Sequence, residues 1–213
     1  MYARVIKRTM DIVLSAIGLI ILFIPMGIIA LIIKIEDPGP FVFTQKRIGK
    51  NKNGEIAYFQ LFKFRSMKMS TPHDMPTHLL ENPEQYITKA GGFLRRFSLD
   101  ELPQIWNILK GDMSVIGPRP ALWNQDDLYA EREKYGANDV VPGLTGWAQI
   151  NGRDELEIEE KARFDGEYAC ILQEGGWKAF KMDVRCFFGT VISALRGDGV
   201  VEGGTGEMKK HKE

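Results

Sequence analysis

The sequence predicts an α+β protein attached to a membrane through its N-terminal helix. Three observations lead to this prediction. An uncharged apolar run extends from Ile12 to Ile33, two segments rich in aromatic and β-branched residues follow it, and several helical patterns separated by turns make up the rest. With 213 residues, the chain has room for one domain and a membrane element. We expect a small β-hairpin and several amphipathic helices around a site at the membrane surface.

The apolar run has the length of a membrane segment. Its 22 residues would form a helix roughly 33 Å long, about the thickness of the hydrocarbon core of a bilayer. Pro25 lies near the middle, where a proline removes a backbone donor and kinks or breaks a helix. A cleaved signal peptide usually has a shorter apolar region that ends at small residues, so this explanation is the weakest of those considered.

Basic residues on both sides of the run bear on how it meets the membrane. They are Arg4, Lys7 and Arg8 before it, and Lys34, Lys46, Arg47, Lys50 and Lys52 after it. Short basic flanks tend to lie on the cytoplasmic side. A re-entrant helix that bends at Pro25 keeps both flanks there, whereas a spanning helix keeps only one. The residues alone leave both arrangements open.

Two strands and a turn are predicted next. The strands are "PFVFTQKRIG" (40–49) and "EIAYFQLFKFRSM" (55–67), and the Asn-Gly pair in "KNKNG" between them is typical of a hairpin turn. Lys63 and Arg65 share one face of the second strand. They could hold a phosphate together or belong to an ordinary exposed face, and the pattern allows both.

Helical spacing predicts three further helices. They cover "LDELPQIWNILKGD" (99–112), closing at Gly111, "RPALWNQDDLYAEREKYG" (119–136), and residues 177–195. The last one carries Lys178, Lys181 and Arg185 opposite an apolar side, which suits a membrane interface or a core-facing helix equally. Residues 71–89 read as a loop with a short helix, and the polar tail 197–213 as disordered.

Composition narrows the kinds of site that the chain can carry. Two cysteines and three scattered histidines are too few for a disulfide scaffold or a structural zinc site. Residues 1–120 hold 16 lysines and arginines against 10 aspartates and glutamates, which favours anionic partners such as lipid headgroups and phosphates, although a mixed surface gives the same count. The sequence contains no P-loop, Asp-x-Asp motif, nucleophile elbow or nucleic-acid-binding module.

The stretch "RRFSLDELPQ" (95–104) carries the candidate chemistry. Ser98 and Glu101 match a capping box that opens a helix. Asp100 then lies in the first turn, where the helix dipole and a nearby Arg95 would lower its pKa. An ionised aspartate in such a place can attack phosphorus or bind magnesium. Acidic residues at helix starts also occur without any catalytic role.

Arg119 stands between Pro118 and Pro120 on a stiff, extended backbone. Such a backbone suits a guanidinium that binds a phosphate through two N–H groups. A purely structural turn is the alternative.

Together these segments resemble the bacterial sugar transferases, also known as monotopic phosphoglycosyl transferases. The ordered matches cover nearly the whole chain: "KRTMDIVLS", "DPGPFVFTQKRIGK", "FKFRSM", "RRFSLDELPQIWNILKGDMSVIGPRP", "PGLTGWAQINGR" and "FDGEYA". The resemblance implies a re-entrant membrane helix over residues 1–36 that is broken at Pro25, and a cytoplasmic catalytic domain over 37–196. Many family members have a serine where this chain has Ile24.

The resemblance also implies a reaction. Asp100 attacks the β-phosphate of a UDP-sugar and expels UMP, and a polyprenol phosphate, as in undecaprenyl phosphate, then takes the sugar phosphate from the aspartate. Mg²⁺ neutralises the diphosphate, with Asp100 and Glu101 as its ligands and Glu101 as the metal-assisting or acid–base partner. The residues implied in substrate or phosphate binding are Lys63, Arg65, Arg95, Pro118, Arg119, Pro120, Gln149 and Arg153.

The implied setting is one leaflet of the bacterial inner membrane, with the catalytic domain facing the cytoplasm, no nucleic-acid partner, and a homodimer as one expectation. The product would begin a capsule, O-antigen, exopolysaccharide or glycoprotein glycan. The alternatives are a non-catalytic membrane scaffold of the same pathway and, more weakly, a lipid-phosphate phosphatase or other phosphotransferase.

Overall fold

The computed structural model describes residues 1–71, 82–152 and 156–196. It confirms the α+β class, with a long apolar N-terminal helix, an antiparallel hairpin and several helices. After a π-helical segment Tyr2–Ile6, the helices are α1 Lys7–Glu36, α2 Lys89–Arg96, α3 Gln104–Lys110, α4 Asp126–Glu133, α5 Trp147–Ile150, α6 Ile158–Glu174 and α7 Gly176–Arg196. The strands are β1 Val42–Ile48, β2 Tyr58–Phe64, β3 Ser114–Ile116 and β4 Gly143–Thr145. The tail 197–213 lies outside the described residues.

Helix α1 contains the apolar run and stays helical through Pro25. It is long and apolar enough to cross a membrane. Its outward face is apolar, with Ile20 and Phe23 each 78% exposed. A bend at Pro25 with re-entry into one leaflet stays a prediction, as does the spanning alternative.

Both ends of α1 contact the rest of the chain. Near the start, the Asp11 carboxylate accepts a hydrogen bond of 2.9 Å from the Val115 N–H in β3. At the other end, the Glu36 carboxylate accepts from the Lys89 and Ala90 N–H groups that open α2, at 2.6 and 2.9 Å. These polar contacts fix α1 to the β3 and α2 regions at two places along its length.

The hairpin forms as the sequence predicts. Strands β1 and β2 are antiparallel, with Val42 opposite Phe64 and Ile48 opposite Tyr58. The turn residues Asn53 and Gly54 have φ angles of 53° and 80°. Positive φ at both central positions is the requirement of a type I′ turn, which Asn-Gly meets at little cost.

A short parallel pair, β3 and β4, was not predicted. A Cβ atom on Gly143 would lie 2.1 Å from the Gly117 nitrogen, so only glycine permits this approach of the two backbones. The Gly117 N–H donates to the Thr145 carbonyl at 2.7 Å, and the Gly143 N–H donates to the Pro118 carbonyl at 2.8 Å. The glycine-rich segment therefore fixes the backbone that leads into residues 118–120.

Helices α6 and α7 form the main apolar core with the N-terminus. Tyr168, Ala179 and Cys186 are among its buried members. The large side chains of α7, including Trp177 and Phe188, instead face outward and are exposed. One face of α7, which includes Ala179, Met182 and Cys186, therefore faces the core, while Trp177 and Phe188 face outward.

The Asp183 carboxylate of α7 ties these elements together. It accepts hydrogen bonds from the Tyr2 hydroxyl at 2.7 Å, the Lys7 ammonium at 3.0 Å and the Tyr168 hydroxyl at 2.8 Å. Burial and the negative charge of Asp183 raise the pKa of Tyr168 well above its usual value. The phenol therefore remains a donor throughout the physiological pH range.

Two predicted helix boundaries were wrong. Residues 99–112 divide into a 3-10 turn, Leu99–Glu101, and the shorter α3, while residues 119–136 are helical only over α4. The Ala121 carbonyl accepts from the Ile48 N–H at 3.0 Å, so the chain before α4 runs along the edge of β1. Helices α2 and α6 were not predicted, because their patterns lie between polar and turn-rich stretches.

Candidate active site

Asp100 and Glu101 lie in the 3-10 turn that connects α2 to α3. Ser98 enters the turn with φ of 54° and its side chain makes no capping hydrogen bond, so the predicted capping box is wrong. Asp100 is 8% exposed, and its carboxylate lies 3.7 Å from the Lys63 ammonium, which is too long for a hydrogen bond. Its carboxylate thus accepts no hydrogen bond from the part of the chain described and can meet a ligand.

Glu101 is held by two cations. The Lys63 ammonium donates to Oε1 at 3.0 Å. The Arg119 guanidinium donates to Oε1 as well, and its second nitrogen lies 3.4 Å from Oε2. The structure therefore brings together four residues that the sequence singled out, from β2, the 3-10 turn and the 118–120 segment.

The two carboxyl groups have shifted pKa values of opposite direction. Burial raises the pKa of Asp100 above its usual range, and the positive charge of Lys63 opposes this only in part. We expected Arg95 to lower the pKa of Asp100, and this expectation was wrong, because the effect of burial outweighs that of the nearby cations. Burial also acts to raise the pKa of Glu101, but Arg119 and Lys63 hold it well below its usual range. Such a split assigns different roles to neighbouring carboxyl groups.

Asn107 sets the position of this turn relative to β2. Its side chain is 0% exposed, accepts a hydrogen bond from the Phe62 N–H at 3.0 Å, and donates to the Gln60 carbonyl at 2.7 Å. The amide therefore continues the hydrogen-bonding pattern of the strand and holds α3 against it. As a result, Lys63 and the carboxylate pair lie side by side.

Arg132 holds the Arg119 backbone from the other side. Its guanidinium donates to the Arg119 carbonyl at 2.9 Å and, through Nε, to the Asp165 carboxylate at 2.8 Å. Both members of this ion pair are buried. Asp165 belongs to the "FDGEYA" segment, so α6 and α4 together support the backbone of the 118–120 segment.

The other predicted site residues have different surroundings. Arg95 donates from Nε to the Ser66 hydroxyl at 2.9 Å, and its charge acts on Asp100. Arg65 is buried and bound to the Asp37 carboxylate and the Pro40 carbonyl, so in this structure it ties the end of α1 to β2. Its role in phosphate binding stays a prediction.

Gln149 and Arg153 complete the predicted set. Both polar atoms of the Gln149 side chain are buried without a hydrogen-bond partner among the residues described. Arg153 lies outside the described residues. For both residues, substrate binding stays a prediction.

Sequence reasoning missed Arg47, Asn107 and the Arg132–Asp165 pair as parts of the site. Arg47 donates to the Pro120 carbonyl at 2.9 Å. Their partners are distant in sequence, so no local spacing marks them. The matched segments were the only available signal, since Arg47, Asn107 and Asp165 lie within three of them.

Metal binding can be tested against these side chains. Within residues 1–71, 82–152 and 156–196, no group of three or more histidine, cysteine, aspartate or glutamate side chains could enclose an ion. Mg²⁺ usually takes one or two carboxylates and completes its shell with water and substrate phosphates. Asp100 and Glu101 could supply these carboxylates, and a bound substrate and water would supply the remaining ligands.

A cavity of about 940 Å³ lies elsewhere. It is bounded by the N-terminal segment, the start of α7 and residues 111 and 113–114, and none of Lys63, Asp100, Glu101 and Arg119 lines it. The candidate active site is therefore defined by its charged side chains and not by this cavity.

These features define a class of protein: an α+β chain with a membrane-type helix beside a buried aspartate–glutamate pair held among cations. The chain belongs to the bacterial sugar transferase family, whose model matches residues 2–197. This confirms the resemblance that the ordered motifs indicated.

Several relatives have assigned reactions. The chain is 40% identical, over 90% of its length, to the UDP-glucose:undecaprenyl-phosphate glucose-1-phosphate transferase of Escherichia coli (strain K12), and covers 40% of that protein. It is 36% identical, over 91% of its length, to the UDP-N-acetylgalactosamine-undecaprenyl-phosphate N-acetylgalactosaminephosphotransferase of Aeromonas hydrophila, covering 44% of it. An uncharacterized sugar transferase of Bacillus subtilis is 37% identical, with 79% and 77% of the two chains aligned. The chain thus spans less than half the length of the first two relatives.

Proposed function

We propose that this protein transfers a sugar 1-phosphate from a UDP-sugar to a membrane polyprenol phosphate, the undecaprenyl phosphate named for its relatives, and releases UMP. The observation that carries the proposal is the Asp100–Glu101 pair, set among Lys63 and Arg119 next to a helix of membrane type. A buried carboxylate with cations around it suits chemistry at an anionic phosphorus centre.

Asp100 is the nucleophile in this proposal. One of its oxygens forms a bond to the phosphorus that carries the sugar, and the bond from that phosphorus to the oxygen bridging the two phosphates breaks. UMP leaves with the bridging oxygen. An oxygen of the polyprenol phosphate then attacks the aspartyl phosphosugar, which frees the Asp100 carboxylate and forms the polyprenol diphosphate sugar.

The surrounding residues divide the remaining work. Glu101 stays ionised, because Arg119 and Lys63 hold its pKa low, and it orients both cations toward the substrate. Mg²⁺, held by Asp100, Glu101 and the substrate, would neutralise the diphosphate charge. The Asn107 amide and the Arg132 guanidinium keep these groups at fixed positions.

We also propose that α1 enters one leaflet and returns, so that the catalytic domain lies on the cytoplasmic face of the bacterial inner membrane. The polar contacts at Asp11 and at Glu36 support this, because both ends of α1 are bound to the folded part of the chain, to β3 at one end and to α2 at the other. A straight spanning helix of 30 residues would separate its ends by roughly 45 Å. The exposed aromatic side of α7 supports a position at the headgroup level.

The direct test is UMP release by the purified chain with Mg²⁺, undecaprenyl phosphate and a panel of UDP-sugars. Wild type should release UMP with at least one sugar, and Asp100→Asn should lose all measurable turnover. Asp126→Asn, an exposed aspartate at the start of α4, is the matched control and should keep wild-type activity.

Each alternative predicts a different result. A non-catalytic scaffold would release no UMP with any sugar although it is folded. A phosphatase would release inorganic phosphate in place of UMP. Appreciable turnover by Asp100→Asn would remove Asp100 as the nucleophile.

A further inference from the structure

Arg47 lies on the face of the hairpin that carries Lys63. In the antiparallel pairing, Arg47 is opposite Phe59 and Phe43 is opposite Lys63. Since alternate residues of a strand share a face, Gln45, Arg47 and Lys63 project from the same side of the sheet. This is the side on which Lys63 meets Glu101.

The Arg47 guanidinium has few partners for its five N–H groups. Nη1 donates to the Pro120 carbonyl at 2.9 Å and Nη2 to the Gln45 side-chain oxygen at 2.7 Å. Nε is buried and has no acceptor among the described residues. A guanidinium carries five donors, so three N–H groups of Arg47 have no assigned acceptor in the described part of the chain.

The positive charge of Arg47 is also only partly compensated. In the described part of the chain no carboxylate forms an ion pair with it, and both of its hydrogen-bond acceptors are neutral oxygens. Arg132 differs in this respect. It donates to the Arg119 carbonyl, and its own positive charge is paired with the Asp165 carboxylate. Burial, together with the nearby positive charge of Arg119, lowers the pKa of Arg47 to about 9, and the negative charge of Glu101 opposes this only in part.

A half-buried cation of this kind, with a buried Nε that lacks an acceptor among the described residues, is stabilised when an anion binds beside it. Glu101 already engages Lys63 and Arg119, so a diphosphate that approaches either of them competes with a carboxylate. At Arg47 it meets no such competition from the described residues. An anion there would also screen the repulsion between Arg47 and Arg119.

We infer that Arg47 is a substrate-binding residue, which contacts a phosphate oxygen of the nucleotide diphosphate next to Arg119. This inference rests on the proposed function and adds to it a binding residue on β1. Holding the Pro120 carbonyl is then a second role of the same guanidinium, which couples the 118–120 backbone to the bound phosphate.

The test compares Arg47→Gln with Lys46→Gln, which removes the same charge from the adjacent, exposed residue on the opposite face of β1. Binding of UDP and of uridine to the full chain in nanodiscs is measured by calorimetry, and folding by thermal unfolding. Arg47→Gln should lose about tenfold or more in affinity for UDP, as expected for a charged hydrogen bond. Lys46→Gln should stay within about twofold of wild type, as expected for an exposed charge.

Uridine and Arg47→Lys separate binding from support of the backbone. If Arg47 contacts phosphate, uridine affinity stays unchanged in Arg47→Gln, and Arg47→Lys recovers part of the UDP affinity. If UDP and uridine weaken by the same factor, Arg47 only supports the 118–120 segment and the inference is wrong. Equal UDP affinities in the two glutamine variants would also overturn it.

Measuring UMP release separates failure of the Arg47 role from failure of the proposed function. A wild-type chain that turns over a UDP-sugar, beside an Arg47→Gln variant with unchanged UDP affinity, contradicts the role of Arg47 alone. A folded wild-type chain that neither binds UDP nor releases UMP contradicts the proposed function, and the inference with it.

Discussion

At the scale of single residues, the site depends on two adjacent carboxyl groups in unlike surroundings. Glu101 is paired with Lys63 and Arg119, so it stays ionised and organises the cations. Asp100 is buried with one weaker contact, to Lys63 at 3.7 Å, and its pKa is raised. Desolvation strengthens a carboxylate as a nucleophile but costs free energy to ionise it.

This difference predicts the pH dependence of the reaction. Because the pKa of Asp100 is raised, the ionised nucleophile should be lost on acidification at a higher pH than the ordinary aspartate value of about 3.9. Initial rates of UMP release against pH should therefore show an acidic limb with its midpoint above that value. A midpoint at or below it would contradict the assignment of Asp100.

The same shift affects folding stability. A carboxyl group with a raised pKa in the folded state binds more protons there than in the unfolded chain, so stability falls as pH rises through the interval between the two values. As pH rises through that interval, the melting temperature of the wild type should therefore fall relative to that of Asp100→Asn.

At the scale of elements, three close contacts bring the turn, β2 and the 118–120 segment together. Asn107 binds α3 to β2, Gly117 and Gly143 bring two backbones into contact, and Gly91 brings α2 against Ser66. A Cβ atom on Gly91 would lie 1.9 Å from the Ser66 carbonyl oxygen. The position of α2 matters for the site, because the Ser66 hydroxyl accepts a hydrogen bond from Arg95.

Adjacent glycines of α2 give a matched pair of variants. Gly91→Ala should destabilise the fold by about 1–3 kcal/mol, as overpacking does, and should lower UMP release because α2 and Arg95 move. Gly92→Ala places its Cβ 3.9 Å from Ile87, an ordinary contact, and should stabilise the helix by up to about 1 kcal/mol. Thermal unfolding of both variants checks this, and equal stabilities would contradict the close approach at Gly91.

At the scale of the whole molecule, direct contacts join the apolar helix α1 to the part of the chain that carries the candidate active site. Helix α1 contacts β3 through Asp11 and α2 through Glu36, so in the proposed membrane attachment the position of α1 in the bilayer also sets the depth of the carboxylate pair. The proposed substrates, a water-soluble nucleotide sugar and a lipid phosphate, would then meet at the headgroup level.

One-sided attachment predicts the outcome of cysteine labelling. In a Cys170→Ser background, which removes the exposed native thiol, Arg4→Cys and Lys50→Cys place probes before and after α1. A membrane-impermeant maleimide should label both from the cytoplasmic side of oriented vesicles. Labelling of the two positions from opposite sides would support a spanning helix and contradict the re-entrant arrangement.

Local patterns predicted the elements whose cause is local. The Asn-Gly pair specifies the hairpin turn, and the uncharged run specifies α1. The capping box at Ser98 was wrong because the turn at Asp100 is fixed by tertiary contacts and not by a helix start. The buried pair Arg132 and Asp165 joins residues far apart in sequence, and spacing carries no information about such pairs.

Detection of the covalent intermediate tests the central claim most directly. Purified chain is incubated with Mg²⁺ and its UDP-sugar in the absence of polyprenol phosphate, then examined by mass spectrometry of the intact protein and of its peptides. We expect one sugar phosphate attached to Asp100, its disappearance when undecaprenyl phosphate is added, and no adduct in Asp100→Asn. Turnover without any adduct, or an adduct on another residue, would contradict nucleophilic catalysis by Asp100.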